Sequence, residues 1–331
     1  MRVAVLGGGA WGTALADLLA RKGEDVVLWA REPEVVESVN REHLNPVFLP
    51  DAPLAPSLRA EGEVGRAVEG AELVVSAAPS FAVRAVVSQA APALGGRPVV
   101  VSVSKGLEDD LKTMSTVLAE VLPAGTPVCA LSGPSFAREV FERQPTAVVA
   151  AARDEAVARF AQRAFSCGHF RVYSHTDVLG VELGGALKNV IALAAGILEG
   201  LGLGHNPRAA LITRGLAEIT RLGVRMGADP LTFAGLAGMG DLILTATGPL
   251  SRNRTLGVEL GRGKSLEEAL RDKKTVAEGV HTARTAVALG ERYGVELPIA
   301  GQVSEILFRG KAPRQAVTDL MERDLKAEHW R

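Results

Sequence analysis

The sequence predicts a doubly wound α/β sheet followed by an all-α C-terminal domain, and three observations carry that prediction. Seven short apolar runs, most of them dense in valine, alternate with helical patterns through the first half. A glycine cluster, Gly7-Gly8-Gly9-Ala10-Trp11-Gly12, stands directly after the first run and opens the first helical pattern. Beyond about Asp177 the valine-rich signal stops and only helical periodicity remains. The chain has 331 residues, which at ~100–200 residues per domain suggests two domains. The expected division is 1–176 for the α/β domain and 177–331 for the helical one.

The predicted strands are 2–6, 25–29, 72–77, 98–103, 128–131, 146–150 and 170–173. Their density in valine suits parallel strands buried on both faces. Between the first two, Ala14, Leu15, Leu18 and Leu19 share one helix face, and Gly23 marks the stop. Further helices are predicted near 80–91, 112–121, 134–143 and 154–165. Parallel strands need crossovers of this kind. In the second half the helices read as 178–200, 207–227, 251–263, 279–292, 298–308 and 313–323, with Pro207, Pro230, Pro298 and Pro313 at first turns or boundaries.

Composition narrows the function. Lys and Arg total 37 against 38 Asp and Glu, and aromatic residues make up only 4%. That balance gives no general electrostatic case for nucleic acid and too few rings for single-strand stacking. Cys129 and Cys167 are the only cysteines, too few for a disulfide framework or zinc cluster, and both read as small core residues. The six histidines show no His-x-x-x-His spacing and no nearby cysteine partner, so no metal site is expected. The opening apolar run is too short for a signal peptide, and the most lipid-like stretch, 190–198, is nine residues long. No transmembrane segment is therefore expected, and the location expected is cytoplasmic.

The glycine cluster spells G-x-G-x-x-G. Gly7 permits a tight turn, Gly9 lets backbone approach a pyrophosphate, and Gly12 allows a helix to pack close on a strand. The helix N-terminus then offers unpaired N–H groups to the diphosphate. An Asp or Glu ~20 residues beyond such glycines would hold an NAD ribose hydroxyl. Here Arg31 occupies that place, with Glu32 next to it. Arginine suits the extra phosphate of NADP(H), so NADPH is the expected cofactor, with NADH tolerated.

Lys105 closes the fourth predicted strand, where ligands of open α/β sheets bind; a surface lysine is the plain alternative. Gly133 and Ser135 lie in a turn after the fifth strand that either offers N–H groups to an oxygen-rich ligand or merely caps a helix. Within the apolar helix, Lys188 beside Asn189 follows Gly184-Gly185-Ala186, small residues that would let a ligand come close. Lys188 either snorkels to solvent or faces a site as a half-buried ammonium suited to proton transfer. Glu182 lies seven residues before Asn189 on the same helix face and is expected to orient it. Asp241 and Thr245 have i, i+4 spacing, although Asp241 could equally be a helix cap. Ser251, Arg252 and Asn253 read as a helix start able to hold a phosphate.

Taken together, these motifs resemble the NAD(P)-dependent sn-glycerol-3-phosphate dehydrogenases of the bacterial type. The resemblance rests on GGGAWGTALA (7–16), SKGL (104–107), LSGPSFA (131–137), GGALKNVIALAAG (184–196), NPRAALITRGLAE (206–218), GMGDLILTATG (238–248), SRNR (251–254) and VAEG (276–279). They are collinear and span nearly the whole chain. The resemblance implies a Rossmann domain and a helical domain like the 6-phosphogluconate dehydrogenase C-terminal one. It implies reversible hydride transfer between nicotinamide C4 and C2 of dihydroxyacetone phosphate or sn-glycerol 3-phosphate, supplying the backbone of glycerophospholipids. Lys188 would exchange the proton at the C2 oxygen. Lys105, Asn189, Asp241 and Thr245 would position the substrate, and Ser251, Arg252 and Asn253 would hold its phosphate. Trp11, Arg31, Lys105, Ala137, Arg252, Val276 and Glu278 match cofactor-contacting positions; Ala10 stands where many relatives have serine. A homodimer is a possible assembly. Two other classes share parts of the pattern: hydroxyacid or 6-phosphogluconate-like dehydrogenases, and non-catalytic dinucleotide sensors.

Overall fold

A computed structural model describes residues 1–271, 277–325 and 327–328. The chain forms two compact units, Met1–Glu108 with Lys112–Glu182, and Asp109–Leu111 with Leu183–Arg331. The first holds β1 (Arg2–Leu6), α1 (Ala10–Arg21), β2 (Asp25–Trp29), α2 (Pro33–Glu42), β3 (Arg59–Glu61), α3 (Val64–Val68), β4 (Leu73–Ser76) and α4 (Val83–Ala90). It continues with β5 (Val99–Ser102), α5 (Met114–Val121), β6 (Val128–Ser132), α6 (Ala137–Phe141), β7 (Thr146–Ala151), α7 (Glu155–Phe165) and β8 (Phe170–His175). The long helix α8 (Val178–Gly200) begins at its end.

The eight strands form one sheet in the order β3-β2-β1-β4-β5-β6-β7-β8. The order reverses beside β1, where Leu6 pairs with Trp29 on one side and Ser76 on the other. Strand alternation divides the core: Val3 and Val5 pack with residues of α1, α2 and α7, while Ala4 and Leu6 pack with α3, α4 and α5. Both faces are thus covered, which is why the central strands read as near-continuous apolar runs rich in valine.

The structure corrects the all-parallel expectation at one place. β6 and β7 are antiparallel. The connection between them contains only the five-residue α6, which rises about 7.5 Å. That is too short to carry the chain back along a strand, so β7 starts where β6 ends. The helix predicted over 134–143 begins later because Gly133 takes φ +137° and the residues up to Phe136 stay outside the helix. β3 was missed because Arg-Ala-Glu at a sheet edge has no apolar signature.

The second unit is helical: the rest of α8, α9 (His205–Met226), α10 (Pro230–Ala234), a π-helical turn (Leu236–Gly240), α11 (Asp241–Thr247) and α12 (Arg252–Gly261). α13 (Leu266–Leu270), α14 (Glu278–Tyr293), α15 (Pro298–Arg309) and α16 (Pro313–Met321) follow. Pro230, Pro298 and Pro313 each open a helix, where the missing N–H costs nothing. α8 is long and apolar enough to cross a membrane by length and composition, which the nine-residue stretch understated. Its apolar window is wholly buried by the protein itself.

Glu218 of α9 is a buried carboxylate of this unit. It accepts from Ile299 N at 2.9 Å and Ala300 N at 3.4 Å, capping the first turn of α15. Burial pushes its pKa up to about 7, against the pull of those N–H groups and of Arg221 and Arg323. The folded state therefore keeps the Glu218 proton at pH values where the unfolded chain has released it. Its contribution to stability is full below pH 4.5 and is lost as pH rises toward 7. The loss is on the order of 3 kcal/mol. Glu218→Gln should flatten this slope, so its Tm relative to the unsubstituted protein should rise by several degrees between pH 5 and pH 8. A Tm difference that is the same at both pH values would contradict this.

Candidate active site

The glycine loop joins β1 to α1, and its glycines have separate steric reasons. Gly7 has φ +137°, and a Cβ there would stand 2.7 Å from the Ala77 backbone. A Cβ on Gly12 would lie 2.0 Å from Gly7 O, so only glycine lets α1 start so close to β1. At Gly9 nothing lies within 4 Å, leaving the backbone open to an incoming group. α1 has no side-chain cap and no acid in its first turn. Its N–H groups and positive end are thus available to an anion.

Two residues that the sequence reading passed over hold this loop. Thr13 Oγ1 and Asn45 Nδ2 both donate to Gly8 O, at 3.1 and 2.8 Å, and both residues are fully buried. Thr13 was visible as the residue after Gly12. Asn45 comes from a loop with no pattern of its own. Ala10, Trp11 and Ala137 pack against one small cluster of Ala14, Leu49 and Ala52. The Trp11 indole N–H is buried with no partner, which is costly unless a ligand meets it. Arg31 lies just past β2, 83% exposed, with its guanidinium on Glu32 at 2.8 Å.

Lys105 Nζ donates to Gly133 O at 2.7 Å and to Ser135 Oγ at 3.2 Å. The loop at 133–135 thus meets a lysine with a carbonyl and a hydroxyl, and it does not cap α6, whose cap position is Phe136.

In the second unit Lys188 is 5% exposed and does not snorkel. Its ammonium donates to Asp241 Oδ1 at 2.5 Å and to Thr245 Oγ1 at 2.6 Å. The Thr245 hydroxyl donates back to Asp241 O at 2.7 Å, so it meets Lys188 as an acceptor. Asp241 does not cap α11; Gly240 is in that position, and the Asp241 carboxylate is committed to the lysine. The preceding π-helical turn, closed by Gly240 N on Gly235 O at 3.1 Å, brings it there. That turn lies against α8 at Gly184, where a Cβ would stand 2.6 Å from Ala237 O. The small residues before Lys188 were read as room for a ligand; at Gly184 what occupies that room is protein backbone.

The expected pairing of Glu182 with Asn189 does not occur. Glu182 accepts from Ser115 N at 2.7 Å and Ser115 Oγ at 2.5 Å, capping α5, and burial raises its pKa. The Asn189 carbonyl is met instead by Asn253 Nδ2 at 2.9 Å. Ser251 caps α12 through Arg254 N at 3.2 Å, and Asn253 Oδ1 accepts from Gly279 N at 2.9 Å. Of the three residues expected at a phosphate, only Arg252 is exposed. Partial loss of water lowers its pKa, and neighbouring Glu278 pulls it back up; a guanidinium remains charged throughout. Val276 lies outside the described residues.

The cysteine expectations need one correction. Cys129 is buried, which pushes its pKa up to about 12, but Cys167 is half-buried and its Sγ lies 3.6 Å from His169 Nδ1. That histidine does have a cysteine neighbour. Among the described residues, no three His, Cys, Asp or Glu side chains gather as a metal site would require.

Comparison with known proteins covers both halves of the chain. Residues 2–158 match the NAD-dependent glycerol-3-phosphate dehydrogenase N-terminus, and residues 177–318 match the C-terminus of the same family. A glycerol-3-phosphate dehydrogenase (NAD(P)+) of Geobacter sulfurreducens is 57% identical over 332 residues, covering 99% of each chain. The crystal structure of glycerol-3-phosphate dehydrogenase from Coxiella burnetii is 39% identical, with a TM-score of 0.94 over 97% of this chain and 99% of that one. The structure of the Saccharomyces cerevisiae enzyme is 28% identical, with a TM-score of 0.82 over 98% of this chain and 99% of that one. With both family halves matched in order and near full-length identity to a curated relative, this chain belongs to the NAD-dependent glycerol-3-phosphate dehydrogenase family.

Proposed function

We propose that the chain catalyses the reversible NAD(P)H-dependent reduction of dihydroxyacetone phosphate to sn-glycerol 3-phosphate, with Lys188 passing the proton. The observation that carries this reading is the buried Lys188 ammonium, fixed between Asp241 and Thr245. The glycine loop fits a dinucleotide through the open space at Gly9, the uncapped first turn of α1 and the unpartnered Trp11 indole N–H. Gly7 and Gly12 shape that loop, and Ala10 and Ala137 border it. The nicotinamide, when bound, supplies the hydride that ends on substrate C2.

The chain's own residues handle the charge and the proton. Negative charge builds on the C2 oxygen as the hydride arrives, and the Lys188 ammonium stabilises it and then donates a proton. Asp241 and Thr245 hold that ammonium in one direction. Lys105 and Asn189 contact the substrate, with Gly133 and Ser135 fixing Lys105. Arg252 grips the phosphate from the turn that Ser251 and Asn253 build, with Glu278 beside it as a cofactor contact. The product is a glycerophospholipid backbone. Dihydroxyacetone phosphate should drive oxidation of NADPH, followed at 340 nm and repeated with NADH. No turnover with either cofactor would sink the proposal.

NADPH is the preferred cofactor in this reading, because Arg31 stands exposed at the end of β2. A charge-assisted bond to the extra phosphate contributes about 1.5–3 kcal/mol. Arg31→Ala should therefore raise KM for NADPH by about 10- to 100-fold, while KM for NADH changes by less than about twofold. Equal effects on the two cofactors would show that Arg31 does not read the phosphate.

A further inference from the structure

Gly7, Gly8 and Gly9 give the loop before α1 more backbone freedom than a bound diphosphate can use. No side chain can stiffen the loop from within at Gly8, because a Cβ there would stand 2.6 Å from Ala30 Cβ. The restraint comes from outside. Asn45 Nδ2 donates to Gly8 O at 2.8 Å, and Thr13 Oγ1 donates to the same oxygen at 3.1 Å. Asn45 Nδ2 also donates to Thr13 Oγ1 at 2.8 Å, so the three groups close a small ring. Phe48 N–H donates to Asn45 Oδ1 at 3.1 Å. Only the oxygen end of an amide can meet an N–H, so Phe48 settles that the NH2 end faces Gly8.

The direction of this carbonyl fixes the direction of the next N–H. The Gly8–Gly9 peptide is trans, and in a planar trans peptide the C=O and the N–H point opposite ways. Asn45 and Thr13 are fully buried, so holding Gly8 O on their side aims the Gly9 N–H away from the interior. Were this peptide to turn over, a carbonyl oxygen would replace the N–H, and an anion would meet an acceptor instead of a donor. The segment that carries Asn45 is tied to α1 at two further points. Asp17 Oδ1 accepts from Ala55 N at 2.7 Å, and Arg21 Nη2 donates to Pro53 O at 2.7 Å. Loss of the Asn45 amide therefore frees the Gly8 carbonyl while the segment stays attached.

We propose that Asn45, acting with Thr13, is a positioning residue for the cofactor's diphosphate: it locks the Gly8–Gly9 peptide so that the Gly9 N–H faces the phosphates. This inference rests on the dehydrogenase reading above. NADPH and NADH share the diphosphate, so the lock serves both equally, unlike Arg31.

Asn45→Ala removes the amide donor. The Kd of each nucleotide is read by fluorescence titration, beside a thermal melt. Kd for NADPH and for NADH should rise by the same factor, about 10-fold. With dihydroxyacetone phosphate as substrate, the defect should appear in KM for the nucleotide and not in kcat. Thr13→Val removes the other donor without adding charge and should act in the same direction. Thr13→Ser keeps the hydroxyl and should bind both nucleotides as the unsubstituted protein does. If Asn45→Ala does not fold, Thr13→Val decides the matter alone. A lower Tm with Kd unchanged for both nucleotides would show that these residues only brace the fold, and would overturn the lock. A rise in Kd for NADPH alone would overturn it too. An unsubstituted protein that binds neither nucleotide overturns the dehydrogenase reading itself; one that binds both, with variants that bind equally well, overturns only the lock.

Discussion

Lys188→Ala should lower kcat by about 10³-fold or more, because both charge stabilisation at the C2 oxygen and the proton itself are lost. Binding of NADPH should stay near normal, since the glycine loop and Arg31 lie in the other unit. The same substitution should also destabilise the fold. Asp241 is 1% exposed, and its Oδ1 loses the ammonium that stood 2.5 Å away. An uncompensated buried charge of this kind costs about 3–5 kcal/mol. Lys188→Met combined with Asp241→Asn removes both charges and should recover much of the Tm without recovering turnover. Steady-state kinetics beside a thermal melt checks both halves. Retained turnover by Lys188→Ala with dihydroxyacetone phosphate would refute the proton-transfer role; an unchanged Tm would refute the buried-charge argument.

Why Lys188 was legible while its surroundings were not follows from how each signal is written in sequence. A lysine inside the long apolar run of α8 contradicts its neighbours, and such contradictions mark function. Asp241 and Thr245 showed their i, i+4 spacing for the same reason. Nothing in the sequence announced the π-helical turn that delivers them, because an extra residue in a helical turn leaves no periodic trace over five positions. Glu182 illustrates the limit of helical-face reasoning. It shares a face with Asn189, yet its carboxylate caps α5, whose Ser115 is 67 residues away in the chain. Partners this distant are set by topology, which spacing along one helix does not contain.

The α/β unit shows the same division. Strands β1 and β2 were legible to the residue because both faces are buried and apolar residues fill every position after the first. β3 was invisible, and β7 was found without its direction. Direction depends on the length of a crossover, here the five-residue α6, and not on anything in the strand. Thr13 and Asn45, which pin the glycine loop from behind, belong to the second kind of information. Asn45 reaches Gly8 across 37 residues.

Gly184→Val tests the steric reading of α8 and should rank with Lys188→Ala in effect on activity. Residue 184 lies one turn before Lys188, and even a Cβ there would meet Ala237 O at 2.6 Å. The obstructed atom is backbone, so relief requires the π-helical turn to move. Asp241 follows that turn directly and would move with it. Overpacking of this kind costs about 1–3 kcal/mol, and a shift of about 1 Å at a catalytic ion pair costs about 100-fold in rate. We expect a lower Tm and a fall in kcat of about that size, with KM for the substrate changed far less. Had the glycine been kept for substrate approach, valine would raise KM and leave Tm and kcat near their original values. The pattern of change, more than its size, distinguishes a glycine that admits a ligand from one that admits a neighbouring turn.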